Sequence, residues 1–97
     1  MLNQIVLVGR LAEKPKTINE FGIKIKILVP RSFKNEYGEY ESDLITCYLW
    51  NGIADNTKKY CKKGDLIGIK GRIEQENKTM KIIAEKVTFL SNKKIDE

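Results

Sequence analysis

The chain has 97 residues, enough for one domain and too few for two. Hydrophobic residues make up 41%, which suits a packed core and excludes a disordered chain. Eighteen Lys and Arg against thirteen Asp and Glu leave a net charge of +5, which points to a polyanion partner: nucleic acid or an anionic membrane surface.

No apolar run approaches the ~18 residues that a bilayer span needs. The start, Met1-Leu2-Asn3-Gln4, lacks a basic segment and a small-residue cleavage site. The expectation is a cytoplasmic protein with no membrane partner. The two cysteines, Cys47 and Cys61, form no close-spaced metal pair, and the chain has no histidine. They read as reduced structural thiols, with no metal and no cofactor. Without histidine there is no Ser-His or Cys-His pair, and no glycine-rich phosphate loop is present. Catalysis is therefore not expected.

Ile5-Val6-Leu7-Val8, closed by Gly9-Arg10-Leu11, reads as a first strand. It is apolar at successive positions, which suits a strand buried on both faces, in a barrel or at a subunit contact. Glu13 to Lys16 reads as a loop, because Pro15 interrupts a ladder. Ile23-Lys24-Ile25-Lys26-Ile27 alternates strictly, so its three Ile share one face and its two Lys the other. Pro30 ends or edges this second strand. Asn35 to Ser42, centred on Gly38, reads as a hairpin loop.

The third strand runs from Asp43 to Trp50. Ile45, Cys47 and Leu49 form an aliphatic face; Leu44, Thr46, Tyr48 and Trp50 form a mixed polar and aromatic one. A helix follows, with Ile53, Thr57, Tyr60 and Cys61 at helical spacing. Lys58, Lys59, Lys62 and Lys63 suit its negative end, and Gly64 suits the position just past it. The fourth strand, Leu66 to Glu74, puts Ile67, Ile69 and Ile73 on one face and Gly68, Lys70 and Arg72 on the other. Glu76-Asn77-Lys78 turns into the last strand, Thr79 to Leu90. The expected fold is all-β with one helix. Five strands with the helix between the third and fourth is the layout of an OB barrel. Residues 1–91 are read as this domain and residues 92–97 as a short polar tail.

Sequence-tolerant binding of single-stranded nucleic acid needs basic side chains along phosphates and aromatic faces under unpaired bases. Tyr48 and Trp50 share a face, joined by Thr46, and Phe33 lies shortly before. Lys24 and Lys26 line the outer face of the second strand; Lys70 and Arg72 line that of the fourth. Each has a plainer reading. Trp50 also fits a core position at a strand end, and Lys24 and Lys26 an ordinary solvated face. The four lysines at the helix end fit a solvated surface better than a site, and Tyr37 and Tyr40 fit hairpin packing.

Several segments resemble bacterial single-stranded DNA-binding proteins: Asn3 to Leu11, Pro30 to Asn35, Gly38-Glu39, Ser42 to Ile45, Trp50 to Asp65, Ile69 to Ile73 and Ala84 to Leu90. They agree in order over about residues 3–90. The resemblance implies an OB fold and a homo-oligomer, a tetramer or dimer, joined through the first strand, Ile5 to Val8. It also implies coating of single-stranded DNA in replication, recombination and repair, at the nucleoid. Trp50 and Phe33 fall at base-stacking positions, and Arg31, Lys70 and Arg72 among backbone contacts. Arg10 joins these as a further candidate contact. Leu44 departs from the family by standing where an aromatic is usual. The last hairpin, about Glu74 to Thr79, is short, and the acidic Phe-ending tip is not seen. These departures motivate an alternative, an OB adaptor that binds mainly protein. RNA binding is a third reading, since the same platform stacks either nucleic acid.

Overall fold

The structure, a computed structural model, describes residues 1–90. Its elements are β1 (Ile5–Leu11), β2 (Lys16–Asn19), β3 (Gly22–Lys34), β4 (Tyr40–Trp50), α1 (Asn51–Tyr60), β5 (Leu66–Glu76) and β6 (Thr79–Phe89). The sheet runs β1-β5-β6-β4-β3-β2, and an extra pairing of β1 with β3 closes it. β1, β3, β4, β6 and β5 thus form a five-stranded barrel with β2 laid on its β3 edge. Closure rests on Arg10↔Leu28 and Leu11↔Ile27. The expected polar tail, residues 92–97, lies outside the described residues.

Two features of the strand order differ from expectation. Lys16, expected to end a loop, begins an unforeseen strand, Lys16–Asn19, so α1 follows the fourth strand and precedes the fifth. β2 starts just past Pro15, which therefore costs it no ladder bond. Its four residues are all exposed, so it leaves no hydrophobic alternation to read. β3 also runs through Pro30 as far as Lys34, absorbing the missing donor as a register shift between Pro30 and Lys34.

Alternation decides which residues line the core. Ile23, Ile25 and Ile27 point inward from β3, Cys47 and Leu49 from β4, and Ile67 and Ile69 from β5, each at most 2% exposed. Leu11, Ala54, Cys61 and Ala84 complete the cluster. Ile73, expected to continue the β5 inner face, is 42% exposed, because the β5–β6 hairpin extends past the end of the barrel. In β1, Leu7 packs on the core, while Val6 and Val8 are exposed. Burial pushes the Cys47 thiol up to about 12, so it is a protonated packing group at neutral pH.

The turns explain the register. Asn77 and Lys78 both take positive φ, 50° and 67°, as a two-residue turn matched to strand twist requires. At the β3–β4 turn, Asn35 Oδ1 accepts the Tyr37 and Glu39 N–H groups at 2.9 and 3.0 Å. Gly64 does not cap α1. The helix ends at Tyr60, and Cys61 turns extended (φ −120°, ψ 137°), with its side chain buried in the core. Gly64, with φ 94°, serves the next turn, where Lys62 N–H donates to Asp65 Oδ2 at 3.0 Å.

Candidate nucleic-acid interface

The register builds one continuous row across five strands. Lys16 of β2 faces Lys24 of β3, Lys24 faces Tyr48 of β4, Tyr48 faces Ile83 of β6, and Ile83 faces Arg72 of β5. Directly paired residues share a face, so these side chains lie together on the outside of the barrel. The neighbouring rows are Lys26↔Thr46 and Gly22↔Trp50. Six of the residues singled out from the sequence, Lys24, Lys26, Thr46, Tyr48, Trp50 and Arg72, therefore form one patch.

Trp50 is neither a core residue nor a free-standing one. Its indole lies over the backbone of Gly22, where any Cβ would collide with the six-membered ring. Glycine at position 22 is thus what lets the ring lie against β3, and it leaves the indole 36% exposed. The neighbouring corner is tied down by Asn51 N–H, which donates to the Phe21 carbonyl at 2.7 Å. A ring held at this angle loses less freedom when a base stacks on it.

The cations divide into two groups. Arg31 is clamped by carboxylates: its Nε and Nη2 donate to the two oxygens of Asp43 at 3.1 and 2.8 Å, and Nη1 to Glu41 at 2.9 Å. The hydrogen bonds from Arg31 hold the Asp43 carboxyl below the usual aspartate range. Arg72 donates to Glu74 at 2.8 Å and to Glu85 at 3.0 Å. Each arginine with its two carboxylates carries a net negative charge, which disfavours a phosphate beside it. Lys24 and Lys70, by contrast, form no ion pair among the described residues, and Lys26 reaches only Glu13, at 4.0 Å.

Four of the singled-out residues lie outside the patch. Phe33 is 80% exposed on the β3–β4 arm, roughly 30 Å along the strand from Lys24 at ~3.3 Å per residue. Arg31 lies on the same arm. Arg10 faces Leu28 and Leu66, and its Nη1 donates to the Gly64 carbonyl at 3.0 Å. Lys70 is outward on β5 but pairs with Val6 and Lys86, to one side of Tyr48. Sequence reasoning missed Lys16 and Lys81. Lys16 was hidden by the loop assignment. Lys81 places its ammonium 4.7 Å from the centre of the Tyr48 ring, which only the parallel β4–β6 pairing brings about.

A closed five-stranded barrel with a helix between its β4 and β5 strands, and an aromatic and basic outer face, defines an OB-type binding module. A family model described as the single-strand binding protein family matches residues 2–90, and the chain belongs to that family. It is 44% identical over 78 residues to single-stranded DNA-binding protein B of Bacillus subtilis, covering 76% of this chain and 69% of that protein. It is 39% identical over 106 residues to a single-stranded DNA-binding protein of Oceanobacillus iheyensis, covering 96% of this chain and 66% of that protein. A third relative, single-stranded DNA-binding protein 1 of Lactococcus lactis, is 42% identical over 85 residues, with 79% and 54% covered. The chain thus spans about half to two thirds of the length of these relatives. Among solved structures, a small single-stranded DNA-binding protein from Streptomyces coelicolor shares the fold, with a TM-score of 0.68 at 15% identity, covering 92% of this chain and 94% of that one.

Proposed function

We propose that this protein binds single-stranded DNA with little sequence preference, by stacking bases on Trp50 and Tyr48 and pairing phosphates with Lys24, Lys26 and Lys70. The observation that carries the reading is the continuous outer row from Lys16 and Lys24 to Tyr48, with Trp50 lying over Gly22 beside it. Aromatic faces accept any base, and lysines track the backbone without reading sequence. Arg31 and Arg72 act in this reading as framework, holding the arm and the β5–β6 hairpin to carboxylates. Phe33 offers an outlying platform, and Thr46 a hydroxyl between the lysine row and the cleft beside β6.

The same reading assigns the chain a protective role on single strands during replication, recombination or repair, in the cytoplasm with the DNA. Binding, not catalysis, is its activity. It includes assembly into a homo-oligomer through β1, supported by Val6 and Val8, which are 64% and 48% exposed. β1 also pairs with β3 only at Arg10 and Leu11, so its Ile5–Gly9 edge on that side has no strand partner among the described residues.

Salt tests the electrostatic half. Three lysine–phosphate contacts at ~0.7 each predict that log affinity for oligo-dT falls with log salt at a slope of roughly −2. A flat response would remove Lys24, Lys26 and Lys70 from the interface.

A further inference from the structure

β4 and β6 run parallel but pair only at Cys47↔Ile82 and Tyr48↔Ile83. Toward their N-terminal ends they part, leaving a cleft lined by Leu44, Thr46, Tyr48, Ile73, Thr79 and Met80. Leu44 and Met80 stand 57% and 67% exposed at its walls. Lys81 follows Met80 on β6. Its ammonium lies over the Tyr48 ring and pairs with Glu76 on β5. The hydrogen bond to Glu76 raises the Lys81 pKa, so the side chain is charged at neutral pH.

We infer that Lys81 is a DNA-contacting residue, covering Tyr48 in the free protein and moving to the phosphate of a nucleotide whose base enters the β4–β6 cleft. The inference rests on the binding reading given above and adds a subsite to it. A base and an ammonium cannot share the same face of one ring, so stacking on Tyr48 displaces Lys81. Its flexible four-carbon stem permits the move. What it leaves is weak: Lys81 and Glu76 are 31% and 57% exposed, and exposed ion pairs contribute little. What it gains is a phosphate beside the base it has admitted. The cleft suits a base in its own chemistry. With one flat face on Tyr48, Leu44 and Met80 offer apolar contact to the rest of the base, and the Thr46 and Thr79 hydroxyls offer hydrogen bonds to its polar edge. A soft, unbranched Met80 adapts to purine or pyrimidine alike.

The test is the salt dependence of oligo-dT binding, read by Trp50 fluorescence, for the unmodified protein, Lys81→Gln and Lys59→Gln. Lys59 is on α1, outside the interface, and its replacement removes the same charge. The expected result is a slope shallower by about 0.7 for Lys81→Gln, one phosphate lost, with Lys59→Gln close to the unmodified protein. A Lys81→Gln slope that changes no more than that of Lys59→Gln overturns the inference, and leaves the binding reading standing if Trp50 still responds to DNA. An unmodified protein that does not bind oligo-dT overturns both.

Discussion

Trp50→Ala should weaken oligo-dT binding about 5- to 150-fold, the loss of ~1–3 kcal/mol expected for one stacked base. Fold stability should fall less than for a core residue, because the indole packs on Gly22 from the outer face and stays 36% exposed. Gly22→Ala should reproduce much of that loss without touching an aromatic residue. The added methyl falls within the Trp50 ring, so the indole must lift away from β3 and lose its fixed angle. Its emission should move to longer wavelength as it becomes more exposed. The two changes act through one group, so the double variant should bind no worse than Trp50→Ala alone. Losses that add would show that Gly22 and Trp50 contribute separately, and that the close approach has no part in binding.

The second large effect separates two adjacent residues. Leu49 is 0% exposed in the barrel core, and Leu49→Ala should cost about 2–5 kcal/mol of unfolding free energy by chemical denaturation. Tyr48 points to the opposite face. Tyr48→Ala should leave the denaturation midpoint nearly unchanged and lower oligo-dT affinity, again by ~1–3 kcal/mol. The reverse pattern would mean that β4 is read one residue out of register, since a slip of one exchanges its two faces.

That pair also shows what was legible in the sequence. Strict alternation in Ile23 to Ile27 and in Leu44 to Trp50 assigned core and surface correctly, because period two is a local property. The place of the turn at Glu76-Asn77-Lys78 was legible too, but its positive φ angles at Asn77 and Lys78 were not. β2 was not, because four exposed residues after a proline carry no hydrophobic signal and form a strand only by pairing with β3. The state of the arginines was equally hidden. Arg31 meets carboxylates 10 and 12 residues away, and Arg72 meets Glu85 13 residues away, across strand pairings that no local pattern encodes. The contacts of Trp50 with Gly22 and of Lys81 with Tyr48 likewise exist only once the barrel is closed. So the kinds of residue needed for the site were visible early, and tertiary pairing decided which cations remain for phosphate.

Trp50 is the single tryptophan, so its emission reports on the outer face alone. Titration with oligo-dT, followed by competition with a duplex of equal length, shows whether single strands bind across Trp50. Oligo-dT should quench the emission saturably, and the duplex should neither produce nor reverse that quenching at comparable concentration. Unchanged Trp50 emission while an independent method records DNA binding would contradict binding across Trp50, by placing the DNA on another surface.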